Sequence, residues 1–219
     1  MKKILITGGG SGLGAELAKG YGENGNHIIL VGRNEENLKK VTNEIIQQGA
    51  FAEYCVMDIS NKDSIDRGIK AIVEKHNNID YLINSAGVGF FGPIETLTMD
   101  EMNTMIDINV KGTIMITMKL LPYINDRILN IISTAGLKGK VNEAVYCASK
   151  FAMRGFTESL QKELSHSEIK ITAVYMGGMN TPFWENSTHI KDKSRLKAPQ
   201  VVAKEIISND DGGEEIIIK

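Results

Sequence analysis

The chain has 219 residues, 42% of them hydrophobic and 24% charged, with a formal net charge of -2. That length suits one domain, 1–219, with a sizeable core, and the near-neutral charge gives no electrostatic ground for nucleic acid or an anionic membrane as principal partner. No apolar run approaches the roughly 20 residues that span a bilayer, and the start, MKKILITGG, reaches glycine before a signal-peptide core is complete, so a cytoplasmic location is expected.

In chain order, short β-branched runs alternate with longer helical stretches. KILIT (3–7) predicts a first strand and 12–25 a first helix. HIILVG (27–32) and a helix over 34–48 follow, then AEYCVMD (52–58) and a helix over 61–76. DYLINS (80–85) precedes a long helix, 98–125, and RILNIIS (127–133) precedes another, 144–166. KITAVYM (170–176), a helix over 199–208 and EEIIIK (214–219) complete the series. Asn34, Asn61 and Thr98 stand where N-caps belong, and Thr98 is followed by Glu101 in capping-box spacing. Several strands are near-continuous Ile/Leu/Val, as parallel strands buried on both faces require. The pattern predicts an α/β fold: a Rossmann-like, doubly wound parallel sheet of about seven strands with helices on both faces. Residues 182–197 show no clear periodicity and carry a charged cluster, which marks them as a candidate substrate lid, mobile without ligand.

The first strand runs into ITGGGSGLGAELAKG (6–20). Glycines between a strand and a helix let backbone N–H groups approach a phosphate, and the helix N-terminus adds partial positive charge. Gly14 is followed by Ala15 and Glu16, which excludes a Walker A loop. The string Thr7-Gly8-x-x-x-Gly12-x-Gly14 resembles the fingerprint of the short-chain dehydrogenase/reductase family. The resemblance continues in order. It runs through Asp58 in VMDIS, NSAG (84–87), Asn109 in INVKG, Ser133, Tyr146 and Lys150 in YCASK, and Thr181 in GGMNTPFW. Three departures stand out: Ser85 where the family has a second asparagine, Met176 where it usually has proline, and a C-terminus shorter than the glycine-rich tail by which many members join subunits.

The resemblance implies a nicotinamide dinucleotide. Its phosphates would lie against Thr7, Gly8, Gly10, Ser11, Gly12, Leu13 and Gly14, and its adenine near Asp58 and Ile59. Asn84, Ala86 and Gly87 would follow it along the fourth strand's end, with Gly177, Met179 and Thr181 at the nicotinamide. NAD-preferring members usually place aspartate where Gly32 stands. Here Arg33 follows instead, and with Ser11 and Asn34 it suits a 2′-phosphate, so NADP(H) is the expected cofactor and NAD(H) the lesser one.

Tyr146 and Lys150 are one helical turn apart and share a face, where a nearby ammonium is expected to lower the phenol's pKa. Ser133 falls at the sheet's C-terminal edge, where α/β ligands bind and a hydroxyl can polarise a carbonyl. By resemblance, Asn109 supports a link to Lys150, and Lys150 also holds the nicotinamide ribose. The catalytic set expected is Asn109, Ser133, Tyr146 and Lys150, for reversible hydride exchange between nicotinamide and a carbonyl or alcohol. Two alternatives stay open: a dinucleotide-binding sensor without turnover, and an epimerase or dehydratase that retains its cofactor. Phe90, Phe91, Phe183 and Trp184 suggest a small substrate with an apolar part. The family pairs through its two long helices, here 98–125 and 144–166, so a homodimer or homotetramer is expected. Cys55 and Cys147 form no CxxC pair and suit packed, reduced thiols. The histidines 27, 76, 166 and 189 have no metal-ligand spacing, so no metal is expected, and His189 alone stands where a substrate passes.

Overall fold

The computed structural model describes residues 1–185, 187, 189–190 and 192–218. Seven parallel strands form one sheet: β1 (Lys3–Thr7), β2 (His27–Gly32), β3 (Phe51–Val56), β4 (Ile79–Asn84), β5 (Ile124–Ile131), β6 (Lys170–Tyr175) and β7 (Glu215–Ile217). Their spatial order is β3-β2-β1-β4-β5-β6-β7. Winding therefore runs outward from β1 one way and from β4 the other, and a crevice opens where the two directions part.

Alternation along each strand feeds two cores. Ile4 and Ile6 of β1 pack with α1 (Gly12–Glu23), α2 (Glu35–Gln47) and α7 (Pro199–Ser208), whereas Leu5 between them faces the opposite layer. That layer holds α3 (Lys62–His76), α4 (Met99–Ile106), α5 (Thr113–Leu120) and α6 (Ala144–Glu163). Burial on both faces is the reason the strands read as unbroken apolar runs. The caps form as their residue types suggest. Asn34 and Asn61 accept from the N–H of Asn37 and Ser64, and Thr98 makes the full capping box with Glu101.

The long helix expected over 98–125 is divided. Between α4 and α5 the turns widen to π geometry over Asp107–Gly112, and a short 3₁₀ turn, Leu121–Tyr123, ends it. Pro122 lacks an N–H for a helical ladder, so the chain enters β5 at Ile124 rather than 127. Gly112 sits in the wide turn because a Cβ there would overlap the Ile59 carbonyl. β3 and β5 also stop short of the expected ends, which leaves Asp58 and Ser133 in the turns just beyond the strands. Lys219, in the last expected strand, lies outside the described residues.

Candidate active site

A cleft of about 750 Å³ occupies the crevice at the C-terminal ends of the strands. The glycine loop forms its floor. Gly8 has φ +69°, and a Cβ on it would come within 2.8 Å of the Ala86 Cα. A Cβ on Gly14 would overlap the Gly8 carbonyl, so α1 can start this close to the loop only with glycine there. Gly10, Ser11, Gly12 and Leu13 line the same floor. Ser11 is the N-cap of α1, but its hydroxyl makes no capping bond and stays available. Thr181 lies against Gly12, and Gly177 and Met179 line the cleft beside it.

At one end stand Arg33 and Asn34. Arg33 is exposed, and among the described residues it has no hydrogen bond or ion pair. Asn34 commits its Oδ1 to the cap of α2 at 2.9 Å, so only its amide N–H₂ faces a ligand. Asp58 accepts Ser60 N–H at 2.9 Å and Ser60 O–H at 2.7 Å on one oxygen, leaving the other to the cleft. Ile59, Ala86 and Gly87 continue the wall. A glycine cradle and an uncommitted N-cap hydroxyl at a helix start fit the phosphates of a dinucleotide.

Two expected ligand residues, Thr7 and Asn84, and the expected catalytic Asn109 lie beneath the cleft instead. Thr7 Oγ1 accepts the N–H groups of Ser85 and Ala86 at 3.1 and 3.2 Å, joining β1 to the end of β4. Asn84 is buried away from the cleft wall. Its amide donates to Thr117 Oγ1 at 3.0 Å and Asn130 Oδ1 at 2.8 Å, inside a buried network that reaches Thr157. That network is held by β4, β5, α5 and α6; it occupies both amide protons of Asn84, while its Oδ1 has no partner among the described residues. Asn109 is buried in the wide helical turn. It clamps both backbone groups of Val88 at 2.8 Å and donates to Ser149 Oγ at 3.1 Å. Ser149 Oγ in turn donates to the Tyr146 carbonyl at 2.7 Å, so Asn109 braces the helix that carries Tyr146 and Lys150 and makes no direct bond to Lys150.

Ser133, Tyr146 and Lys150 converge on the cleft. Ser133 has φ 134° and ψ 155°, a region almost reserved for glycine and costing about 1–3 kcal/mol. Its Oγ accepts the Ala135 N–H at 3.1 Å, leaving its proton for a ligand or for Tyr146. Lys150 Nζ lies 5.6 Å from the centroid of the Tyr146 ring and 3.4 Å from the Ile131 carbonyl. The expected lowering of the phenol's pKa does not occur. Burial pushes Tyr146 above its ordinary value, outweighing a hydrogen bond from Ser133, with the Glu143 charge adding to the rise. Burial also pushes Lys150 down, to about 8. The ammonium sits under the ring rather than beside the oxygen, so desolvation governs both groups.

The other wall is aromatic. Phe91 packs edge-on to Tyr146 with centroids 5.3 Å apart and stacks on Trp184 at 4.9 Å and His189 at 5.0 Å. His189 Nε2 lies 3.1 Å from Glu143 Oε1, in a pair that the sequence does not signal because the two residues are far apart along the chain. Of the expected lid, short 3₁₀ turns form at Pro182–Trp184 and Lys193–Arg195, while positions 186, 188 and 191 lie outside the described residues. Cys147 is buried among Met105, Ala135 and Tyr146, in a packing role.

Known proteins agree with this architecture. The family model described as short chain dehydrogenase matches residues 2–192. An uncharacterized oxidoreductase of Staphylococcus epidermidis is 35% identical over 205 residues, covering 91% of this chain and 87% of the relative. An actinorhodin polyketide ketoreductase solved with NADPH superposes with TM-score 0.89 at 26% identity, over 99% of this chain and 95% of that one. An alcohol dehydrogenase of the archaeon Thermococcus sibiricus, complexed with 5-hydroxy-NADP, shares the fold with TM-score 0.91 at 23% identity, over 100% and 96% of the two chains. With its family model matched over most of its length and its fold shared end to end, the chain belongs to the short-chain dehydrogenase family of oxidoreductases.

Proposed function

We propose that this protein is an NADP(H)-dependent carbonyl reductase, working reversibly on a small substrate with an apolar part. The observation that carries the reading is the convergence of Ser133, Tyr146 and Lys150 on one cleft with the glycine loop. NADPH, when bound, supplies the hydride. Ser133 and Tyr146 hold the substrate oxygen through their hydroxyls, and Tyr146 donates its proton to that oxygen as charge develops there. A phenol whose pKa is raised keeps this proton throughout the neutral range. Lys150, charged below about pH 8, steadies the negative charge and holds the nicotinamide ribose. Phe90, Phe91, Phe183 and Trp184 take the apolar part and exclude water, with the segment 182–197 as lid. NADPH consumption with a panel of ketones and aldehydes tests the activity.

Cofactor choice rests on Arg33, whose guanidinium has no partner among the described residues. Its pairing with a 2′-phosphate is worth about 1.5–3 kcal/mol, the range for hydrogen bonds to charged groups. Arg33→Ala is expected to lower kcat/KM for NADPH by about 10- to 100-fold and to leave NADH nearly unchanged. Equal use of both cofactors by the parent, unaffected by the substitution, would reject the assignment.

Assembly follows from the helices around the site. Met118 on α5 is 66% exposed and Phe151 on α6 is 43% exposed, apolar surface that pairing of these helices between two copies would cover. Sedimentation at micromolar concentration is expected to give at least a dimer, and a monomer there would refute it.

A further inference from the structure

At the edge of the sheet opposite the cleft, three side chains distant in sequence converge. His27 opens β2, Glu53 lies within β3, and His76 ends α3. Parallel register pairs His27 with Phe51 and Ile29 with Glu53, so His27 and Glu53 point to the same face, the one α3 covers. Glu53 Oε1 lies 2.9 Å from His27 Nε2 and 3.0 Å from His76 Nε2. The three ligating atoms lie within 4.8 Å of one another. We propose that His27, Glu53 and His76 form a divalent transition-metal site of the zinc class, separate from the active site.

The donor chemistry fits. Two imidazoles and one carboxylate make a His₂Glu set, which takes zinc with a remaining position for water. With metal–ligand distances of about 2.0–2.1 Å, tetrahedral ligands stand about 3.4 Å apart, so Glu53 Oε1 withdraws by a few tenths of an ångström from each imidazole, and the two imidazoles, whose ligating atoms lie within 4.8 Å of each other, close on the ion. His76 is buried, its side chain 6% exposed. Around these ligands stands a supporting layer. Lys75 binds the second oxygen of Glu53, and Lys3 Nζ donates to the His76 carbonyl at 2.8 Å and to Asn78 Oδ1 at 3.2 Å. A ligating carboxylate hydrogen-bonded through its free oxygen is the usual arrangement. Both lysines are cationic, and their charge opposes the metal.

The test uses tag-free, chelator-treated protein. Calorimetry with Zn²⁺ is expected to give one ion per chain, and Co²⁺ to give a visible d–d absorption that Zn²⁺ abolishes. At 100-fold excess over Kd, zinc is expected to raise Tm by about 5–10 °C. His27→Ala and Glu53→Gln, both at partly exposed positions, should each lose the binding and the shift. Cys55 lies on the same face two residues beyond Glu53, so the titration is repeated in Cys55→Ser, where binding should persist. Absence of saturable binding in the folded parent overturns the site. So does binding that survives His27→Ala and Glu53→Gln, or that is lost in Cys55→Ser. Circular dichroism verifies that each variant is folded.

Discussion

Tyr146→Phe is expected to bind NADPH as the parent does and to lose turnover by a factor of about 10² to 10⁴, the usual contribution of a general acid. The binding floor, Gly8 to Gly14 with Arg33 and Asp58, does not involve the phenol, and the ring keeps its packing against Phe91 and Phe183. Fluorescence titration of NADPH and single-turnover reduction together separate the two effects. Hydride transfer retained by the Phe variant would overturn the assigned acid. Undetectable turnover by the parent across a broad carbonyl panel, with tight cofactor binding, would favour a sensor. The pH profile carries a second signature. In the free enzyme the Tyr146 pKa lies above its ordinary value of about 10, whereas Lys150 loses its proton near 8. The kcat/KM for reduction should therefore decline above about pH 8, set by the lysine.

Lys150→Met should make the cofactor-free protein more stable while destroying its activity. The lysine's folded value of about 8 lies below its ordinary 10.5, so the unfolded chain binds its proton more tightly. Between those values stability rises with pH. Below about 8 the charged side chain costs folding its full penalty, about 3 kcal/mol. Methionine retains most of the aliphatic stem and removes the charge, for a gain of several degrees in Tm at neutral pH, at ~2–4 °C per kcal/mol. The gap between variant and parent should close as pH rises from 8 towards 10. An unchanged or lower Tm at pH 7, or a gap that does not depend on pH, would show that burial of the ammonium is not the cost supposed.

What the sequence disclosed was local. The glycine string, the spacing of Tyr146 and Lys150 and the three N-caps depend on neighbours a few residues away, and each forms as its residue types suggest. The strands were legible because burial on both faces leaves an unbroken apolar run. What escaped depends on distant partners. Asn84 sits in a motif that suggests a ligand contact, yet its amide is consumed by Thr117 and Asn130, from the next helix and strand. The direction of the Tyr146 shift depends on how much chain covers it, which the four-residue spacing to Lys150 does not encode. The helix expected over 98–125 runs through Pro122 because the apolar residues around it continue the helical pattern, whereas the chain turns there in a short 3₁₀ segment. His27, Glu53 and His76 come together only through register and crossover.

The backbone of Ser133 has a bearing on how this protein can be changed. Its φ of 134° would suit glycine without strain, so Ser133→Gly would relax the chain at the point where the proposed mechanism holds the substrate oxygen. Lys150 lies in the same cleft and carries its own burdensome charge. A laboratory selection that rewards heat resistance alone would therefore discard these residues early, and the survivors would be robust, well-folded and inert. Any evolutionary campaign on this scaffold must screen for turnover in the same round as for survival, or direct its mutations away from the crevice.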